Sequence, residues 1–249
     1  MNPNEPINVS LFVTCIVDQL YPEIGEAVVK VLRRQGVSVS FPPGQTCCGQ
    51  PLFNSGYRRD AVALARRVVE EFQDADYVVV PSGSCTAMIK EFSPELLANE
   101  KSYANQAQSL STRTFELSQF LVKVLGVTDV GSSFHGKVAY HPSCHLLREL
   151  GVVDEPLTLL QGIKNAELIE LPDATTCCGF GGTFSVKYPD ISEAILEDKL
   201  KSIECSGAEI LTACDASCLM HIGGGLSKRK SDKGVRTMHL AELLATEEN

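Results

Sequence analysis

Apolar residues in the first third of the chain alternate between short continuous runs and runs with helical spacing. The short runs predict strands at Ile7–Thr14, Val37–Phe41 and Tyr77–Val80. The longer runs predict helices at Tyr21–Gln35 and Arg58–Phe72, because their apolar residues recur every three or four positions. Strands and helices therefore alternate through this part of the chain.

The same order recurs further along the chain. Strands are predicted at Lys137–Tyr140, Ala166–Leu171 and Glu209–Thr212, and helices around Leu146–Glu149 and at Ile191–Glu204. Alternating strands and helices are typical of βαβ units, in which right-handed crossovers join parallel strands. The pattern predicts an α/β fold made of two duplicated, Rossmann-like halves with parallel sheets.

The remaining segments connect and close these halves. Residues Glu91–Val130 carry apolar side chains at mixed helical spacing, which predicts a linker plus a packing helix that ends at Gly126. The tail His239–Ala245 predicts a short closing helix. We expect a first repeat with its connecting helices at residues 1–130 and a second repeat at residues 131–249.

The ten cysteines of the chain support this duplication. Eight of them form two matched sets, Cys15, Cys47, Cys48 and Cys85 in the first half and Cys144, Cys177, Cys178 and Cys218 in the second. Corresponding members lie 129, 130, 130 and 133 residues apart, and each set contains a Thr-Cys-Cys-Gly sequence. Near-constant spacing at four positions indicates an internal repeat.

Four cysteines directly follow predicted strands, namely Cys15, Cys85, Cys144 and Cys218. The two Cys-Cys-Gly loops follow other strands by a few residues. Because ligands bind at the carboxyl ends of the strands in open α/β sheets, the thiols of each half are expected to converge at that edge. Four converging thiols per half are enough to surround a metal centre.

Composition narrows the class of protein. The 249 residues are 44% hydrophobic and 21% charged, as in ordinary globular proteins. With 31 acidic and 22 basic residues the formal net charge is −9. This excess of negative charge gives no indication of binding to nucleic acid or to an anionic membrane. The apolar run Val9–Val13 is too short for a signal peptide, and no stretch approaches the ~20 residues of a spanning helix. We therefore expect a cytoplasmic protein, in which clustered thiols favour metal or redox chemistry over disulfides.

Thiolates are soft ligands, and four of them select zinc, Cu(I) or an iron–sulfur cluster. Zinc sites usually use pairs of cysteines separated by two or more residues, whereas Cys47-Cys48 and Cys177-Cys178 are adjacent. Adjacent side chains diverge, so they suit different irons of a cluster better than one small ion. Gly49 and Gly179 allow a backbone with positive φ and a close approach of the chain to a cluster, where backbone N–H groups could bond to the cluster sulfurs and tune its potential.

Five stretches carry a recognisable pattern: CCGQPLFNSGY, PSGSC, YHPSCHL, VDEPLTLL and CCGFGGTFSVK. They resemble the cysteine-rich, or CCG, domain, in which a cysteine is followed by Cys-Cys-Gly and then by CxxC. Two copies of this domain occur in relatives of heterodisulfide reductase and in the iron–sulfur subunit of glycolate oxidase. The resemblance covers nearly the whole chain.

The resemblance implies an iron–sulfur subunit of a complex that oxidises L-lactate to pyruvate, rather than an enzyme that acts alone. It implies one or two clusters, of the [4Fe–4S] type, bound by the two matched cysteine sets. The implied partners are a ferredoxin-type iron–sulfur protein, a further subunit of the complex and a small hydroxy acid. Two alternatives stay open, a thiol–disulfide reductase subunit and a structural zinc protein.

The chain departs from the family pattern at the final CxxC. The second cysteine of that motif matches Cys85 and Cys218, but its first position holds Ser82 in one half and Asp215 in the other. Cys214 lies one residue out of register, and it is either a fifth ligand in the second half or a buried thiol at a strand end. Cys205 lies alone and is expected to pack in the core as a small apolar residue.

Three histidines lie near the second cysteine set: His141, His145 and His221. Each is a candidate zinc ligand or a group that tunes a cluster, and His145 and His221 are also candidate proton carriers. The simpler interpretation places His141 in a turn and His145 early in a helix. No flavin or nicotinamide fingerprint is present. A small basic run, Lys228–Lys230 with Lys233 and Arg236, is interpreted as a solvated face or a docking patch for an acidic partner.

Overall fold

Two four-stranded parallel sheets form the framework of the computed structural model, which describes residues 7–229 and 234–248. The first sheet contains β1 (Asn8–Leu11), β2 (Ser38–Ser40), β3 (Tyr77–Val80) and β4 (Thr114–Glu116) in the order β2-β1-β3-β4. The second contains β5 (Ser133–Tyr140), β6 (Lys164–Ile169), β7 (Ile210–Ala213) and β8 (Arg236–His239) in the order β6-β5-β7-β8. The strand orders correspond one to one, so the predicted duplicated α/β fold is confirmed.

The helices of the first half follow the strands in the expected alternation. They are α1 (Cys15–Leu20), α2 (Pro22–Arg34), α3 (Gln50–Asn54), α4 (Arg58–Glu71), α5 (Gly83–Ala87), α6 (Ser93–Leu97), α7 (Ala104–Arg113) and α8 (Leu117–Gln119). A π-helical turn at Met88–Phe92 joins α5 to α6, and another at Phe120–Val124 continues α8. The apolar faces of α2 and α4 are buried against the first sheet, as their helical spacing predicted.

The second half repeats the alternation of strands and helices with six helices in place of eight among the described residues. Its helices are α9 (Cys144–Arg148), α10 (Asp154–Gln161), α11 (Phe184–Lys187), α12 (Pro189–Ser206), α13 (Ala216–Lys228) and α14 (Leu240–Ala245). None of the helices in the described ranges is long and apolar enough to cross a bilayer. Lys230 and Lys233 of the basic run lie outside the described residues.

Two predicted segments need correction. The stretch Glu91–Val130 is not helical throughout, because Thr114–Glu116 forms β4 and pairs in parallel with β3. The predicted closing helix begins one residue late, at Leu240, since His239 is the last residue of β8 and caps the helix. The His239 side chain accepts a hydrogen bond from the backbone N–H of Ala241 at 3.1 Å.

An apolar core is shared by the two halves. It joins side chains from both sheets and from the helices between them, including Val9, Leu11, Val28 and Phe120 of the first half and Val138, Leu159, Ile210 and Leu244 of the second. Hydrogen bonds also join the two halves, because the guanidinium of Arg34 on α2 donates to the carbonyls of Leu244 and Ala245 at the end of α14. The two sheets are therefore held in one arrangement, which fixes how their carboxyl edges face each other.

Candidate metal centre

The first cysteine set converges at the carboxyl edge of the first sheet. Cys15 opens α1 directly after β1, and Cys85 lies in α5 directly after β3. Cys47 and Cys48 lie in the loop before α3. The Sγ atoms of Cys15 and Cys47 are 3.8 Å apart, and those of Cys48 and Cys85 are 3.4 Å apart. Residues separated by up to 70 positions thus form one thiol cluster.

The second set has the same construction. Cys144 opens α9 after β5, and Cys218 lies in α13 after β7. Cys177 and Cys178 occupy the loop that precedes α11, and the Sγ atoms of Cys178 and Cys218 are 3.3 Å apart. The placement of the eight matched thiols at the two sheet edges agrees with the sequence-based expectation.

The glycine of each Cys-Cys-Gly loop has the backbone that the sequence predicted. Gly49 has φ +93° and Gly179 has φ +89°, a left-handed conformation that favours glycine. The N–H of Gly49 donates to Cys47 Sγ at 3.5 Å, and the N–H of Gly179 donates to Cys177 Sγ at 3.3 Å. A Cβ on Gly179 would lie 2.6 Å from a backbone oxygen of α12. This position therefore has no room for a side chain and requires glycine for that reason as well.

The protonation of the thiols is set by their mutual hydrogen bonds. Hydrogen bonds from Cys15 and Cys48 lower the pKa of Cys47, with help from the Gly49 N–H and against the opposing effect of burial. Hydrogen bonds from Cys144 and Cys178 lower the pKa of Cys177 in the same way. Each set therefore favours a thiolate at the first cysteine of its Cys-Cys pair, and thiolate is the form that binds metals.

Both thiol sets line one cavity. The cavity has a volume of about 440 Å³ and includes all eight matched cysteines, together with the side chain of His145. Its size lies within the range of small-molecule sites. The two halves also meet beside it, because the hydroxyls of Ser55 and Thr183, which follow the two Cys-Cys-Gly loops, are 2.7 Å apart. Two metal centres placed here would face a common space.

The two residues that replace the first cysteine of CxxC bond to each other. Oδ1 of Asp215 accepts hydrogen bonds from Ser82 Oγ at 2.6 Å, from Ser84 Oγ at 2.9 Å and from the Ser84 N–H at 3.2 Å. Asp215 and Ser82 are both buried and line the cavity. Three donors from the first half thus bond to a carboxyl group of the second half. These bonds join the two halves at the wall of the cavity, next to both thiol sets.

The two remaining cysteines lie away from the sets. Cys214 is completely buried, its Sγ is 3.8 Å from Tyr140 Oη, and it is not among the described residues that line the cavity. The structure thus places it as a buried thiol at the end of β7. The expectation that Cys205 packs in the core is wrong, because this thiol is exposed near the end of α12.

The three histidines occupy different environments. His145 lines the cavity. His221 lies behind Phe180, with ring centroids 5.7 Å apart, and its pKa is lowered by burial. His141 is completely buried, and one of its ring nitrogens lies within 4.8 Å of the thiols of Cys178 and Cys218. His141 lies directly after β5, in the irregular connection to α9, and its N–H still bonds to the carbonyl of Thr212 on β7.

The donor set fits a soft metal centre. Each half offers four sulfurs around one edge of the cavity, at least one of them favoured as thiolate, and a glycine N–H that donates to a sulfur. Thiolate-only sets of this kind suit zinc, Cu(I) or an iron–sulfur cluster. The residues that would hold such a centre are the eight cysteines that the sequence singled out.

The fold and the two thiol sets define a protein with two cysteine-rich repeats, and the family model of the cysteine-rich domain, CCG, matches residues 9–90 and 138–223. Lactate utilization protein A of Bacillus subtilis (strain 168) is 50% identical over 238 residues, which are 96% of this chain and 99% of that protein. The protein of the same name from Geobacillus kaustophilus (strain HTA426) is also 50% identical, over 96% of this chain and 98% of that one. The chain therefore belongs to the lactate utilization protein A family. A glutamate racemase from Campylobacter jejuni subsp. jejuni covers 95% of this chain and 82% of its own with 12% identity and a TM-score of 0.36, a likeness too weak to carry an argument.

Sequence reasoning missed that both sets share one cavity and that Ser82 meets Asp215. The signal for this contact was present, because the two residues occupy the same position of the repeat, 133 residues apart. The contact depends on the orientation of the two halves. The spacing of residues within each half does not specify that orientation.

Proposed function

We propose that this chain is the iron–sulfur subunit of a cytoplasmic complex that oxidises L-lactate to pyruvate. One observation carries the proposal: eight thiols in two equivalent sets surround a single cavity. The names of relatives that are 50% identical over almost their whole length support a role in lactate utilisation. The ligands support an iron–sulfur cluster as the cofactor, because clustered thiolates are the usual ligands of such clusters.

Each half, residues 1–130 and 131–249, holds one cluster of the [4Fe–4S] type in this proposal. The ligands are the four matched cysteines of each half. The N–H groups of Gly49 and Gly179 donate to the sulfurs, and such hydrogen bonds tune the reduction potential of a cluster. The buried Cys214 is left out of the ligand set, since it faces Tyr140.

The electron count of the reaction favours two centres. Oxidation of L-lactate to pyruvate releases two electrons and two protons, and an iron–sulfur cluster ordinarily accepts one electron. Two centres beside one cavity match that number. In this proposal the electrons leave through a ferredoxin-type partner and a further subunit of the complex, the partners that the family resemblance implies.

The proposal is tested with the complex co-expressed with its genomic neighbours and purified without oxygen. Lactate-dependent reduction of an artificial acceptor is measured for the wild type, for Cys178→Ser and for Cys205→Ser. We expect Cys178→Ser to lose iron and activity together, whereas Cys205→Ser, altered at an exposed thiol outside both sets, retains both. Full iron content and activity in Cys178→Ser would contradict the proposal.

The alternatives give different results in the same preparation. Disulfide-dependent turnover by the isolated chain with a reductant would select the thiol–disulfide reductase. Stoichiometric zinc after anaerobic purification, with no uptake of iron on reconstitution, would select the structural zinc protein.

A further inference from the structure

His141 makes the two halves chemically different. Its position corresponds to Phe12 in the first half, since the two residues are separated by the same 129 positions as Cys144 and Cys15. The backbone confirms the match: the His141 N–H donates to the carbonyl of Thr212 on β7 at 2.8 Å, and the Phe12 N–H donates to the carbonyl of Val79 on β3 at 3.0 Å. One half thus has an imidazole where the other has a phenyl ring.

The surroundings of the two side chains differ accordingly. Phe12 is completely buried and packs against Phe72, with ring centroids 5.5 Å apart. His141 is also completely buried, but neither of its ring nitrogens has a hydrogen-bond partner within residues 7–229 and 234–248. A buried polar group without a partner costs about 1–3 kcal/mol, so an interaction with a group bound beside the ring would stabilise the imidazole.

The position of the imidazole identifies that interaction. One ring nitrogen and the sulfurs of Cys178 and Cys218 all lie within 4.8 Å of one another, and the two sulfurs are themselves 3.3 Å apart. His141 also helps to lower the pKa of Cys218, after the larger effect of the Cys178 thiol. An unpaired imidazole beside two thiols is a set of three donors that soft transition metals accept.

We propose that His141 is a metal ligand of the second half, beside Cys178 and Cys218. The second half then offers five donors, four thiols and one imidazole, whereas the first half offers four thiols and a phenyl ring.

The first test uses Co²⁺ alone, so that it does not depend on the identity of the native metal. The full-length protein carries Cys47→Ser and Cys48→Ser, which leave only the second thiol set intact, and Co²⁺ is titrated into the anaerobic, metal-free form. We expect His141→Phe to weaken Co²⁺ binding by more than about 100-fold and to change the visible d–d bands, because loss of a ligand exceeds the effect of an outer-shell change, which is about 10–100-fold. His141→Cys restores a donor and is expected to bind within a few-fold of its parent.

His135→Phe is the matched control, since His135 is exposed on β5 and far along the strand from the thiols. Its Co²⁺ affinity and spectrum are expected to equal those of the parent. Equal affinity and spectrum in His141→Phe would overturn the proposal. Circular dichroism shows whether His141→Phe is folded, and if it is not, the next test decides.

The second test rests on the proposed function and uses unmutated protein reconstituted with iron and sulfide. Pulsed EPR of protein labelled with ¹⁵N-histidine is expected to show the strong nitrogen coupling of a bound imidazole. A spectrum with iron–sulfur signals but without that coupling would overturn the role of His141 and leave the proposed function standing. Absence of any iron–sulfur signal would instead contradict the proposed function, and the Co²⁺ result would still decide the role of His141.

Discussion

Glu116 offers a prediction whose size follows from the structure. This carboxyl ends β4, is completely buried, and lies where the two halves meet, near Asp215 and Cys214. Its Oε2 accepts hydrogen bonds from the N–H groups of Ser118 and Gln119, but its Oε1 has no partner within the described ranges. Burial raises its pKa from 4.5 to about 7, and the nearby charge of Asp215 adds to the increase.

The sign of the effect on stability follows from that pKa. Between pH 4.5 and about 7 the folded protein holds this proton more tightly than the unfolded chain, so the contribution of Glu116 to stability falls as the pH rises through this window. Each pKa unit corresponds to about 1.4 kcal/mol, which means that the buried carboxylate costs about 3 kcal/mol above pH 7.

Replacement by glutamine removes the charge and keeps an oxygen for the two N–H groups. We expect Glu116→Gln to match the wild type near pH 4.5 and to become more stable than it by up to about 3 kcal/mol at pH 8. The assay is urea unfolding of both proteins, in the same metal-free state, at several pH values. Because the two proteins share every other titrating group, including His239, their difference reports on Glu116. A difference that does not change with pH would refute the reasoning.

Three further predictions concern the loops and the thiols. Gly179→Ala is expected to destabilise the protein by more than about 2 kcal/mol in a urea titration, because the backbone is left-handed and the new Cβ would lie 2.6 Å from a backbone oxygen of α12. The control is Gly207→Ala, at a position with positive φ but open space around it. It is expected to cost only about 1 kcal/mol in the same titration. Metal analysis after anaerobic reconstitution is expected to show reduced iron in Cys178→Ser and unchanged iron in Cys205→Ser, and equal iron in both would contradict the assignment of the sets. Lys199→Met is expected to cost about 2 kcal/mol, since the buried ammonium donates to two carbonyls of the loop before the second Cys-Cys pair; an unfolding curve that coincides with the wild type would show that these bonds do not hold the loop.

The sequence predicted the features that repeat in both halves. It did not predict the contacts that form when the two halves pack together. Strands with apolar runs, such as Tyr77–Val80, were located correctly. Strands β4 and β8 were missed because their sequences, Thr-Phe-Glu and Arg-Thr-Met-His, contain no apolar run. Each pairs with a neighbour on one side only in the described sheets, so neither needs to be apolar throughout.

The candidate site shows the same division. Constant offsets between cysteines located both thiol sets, because each set is built within one half. The bond from Ser82 to Asp215 joins the halves, and no local pattern predicts it. The burial of His141 against Cys178 and Cys218 likewise depends on how the loop of one strand packs beside the next. Cys205 was misplaced because an isolated cysteine on a helix gives no sign of which face it occupies.

The central claim is that each half holds an iron–sulfur centre. Iron and sulfide analysis combined with EPR, on anaerobic protein co-expressed with its genomic neighbours, tests this claim most directly when the wild type is compared with Cys47→Ser/Cys48→Ser and with Cys177→Ser/Cys178→Ser. We predict two distinct EPR signals in the wild type and the loss of a different one, with about half of the iron, in each double variant. Zinc in place of iron in the wild type, or the same iron content and signals in all three proteins, would contradict the account.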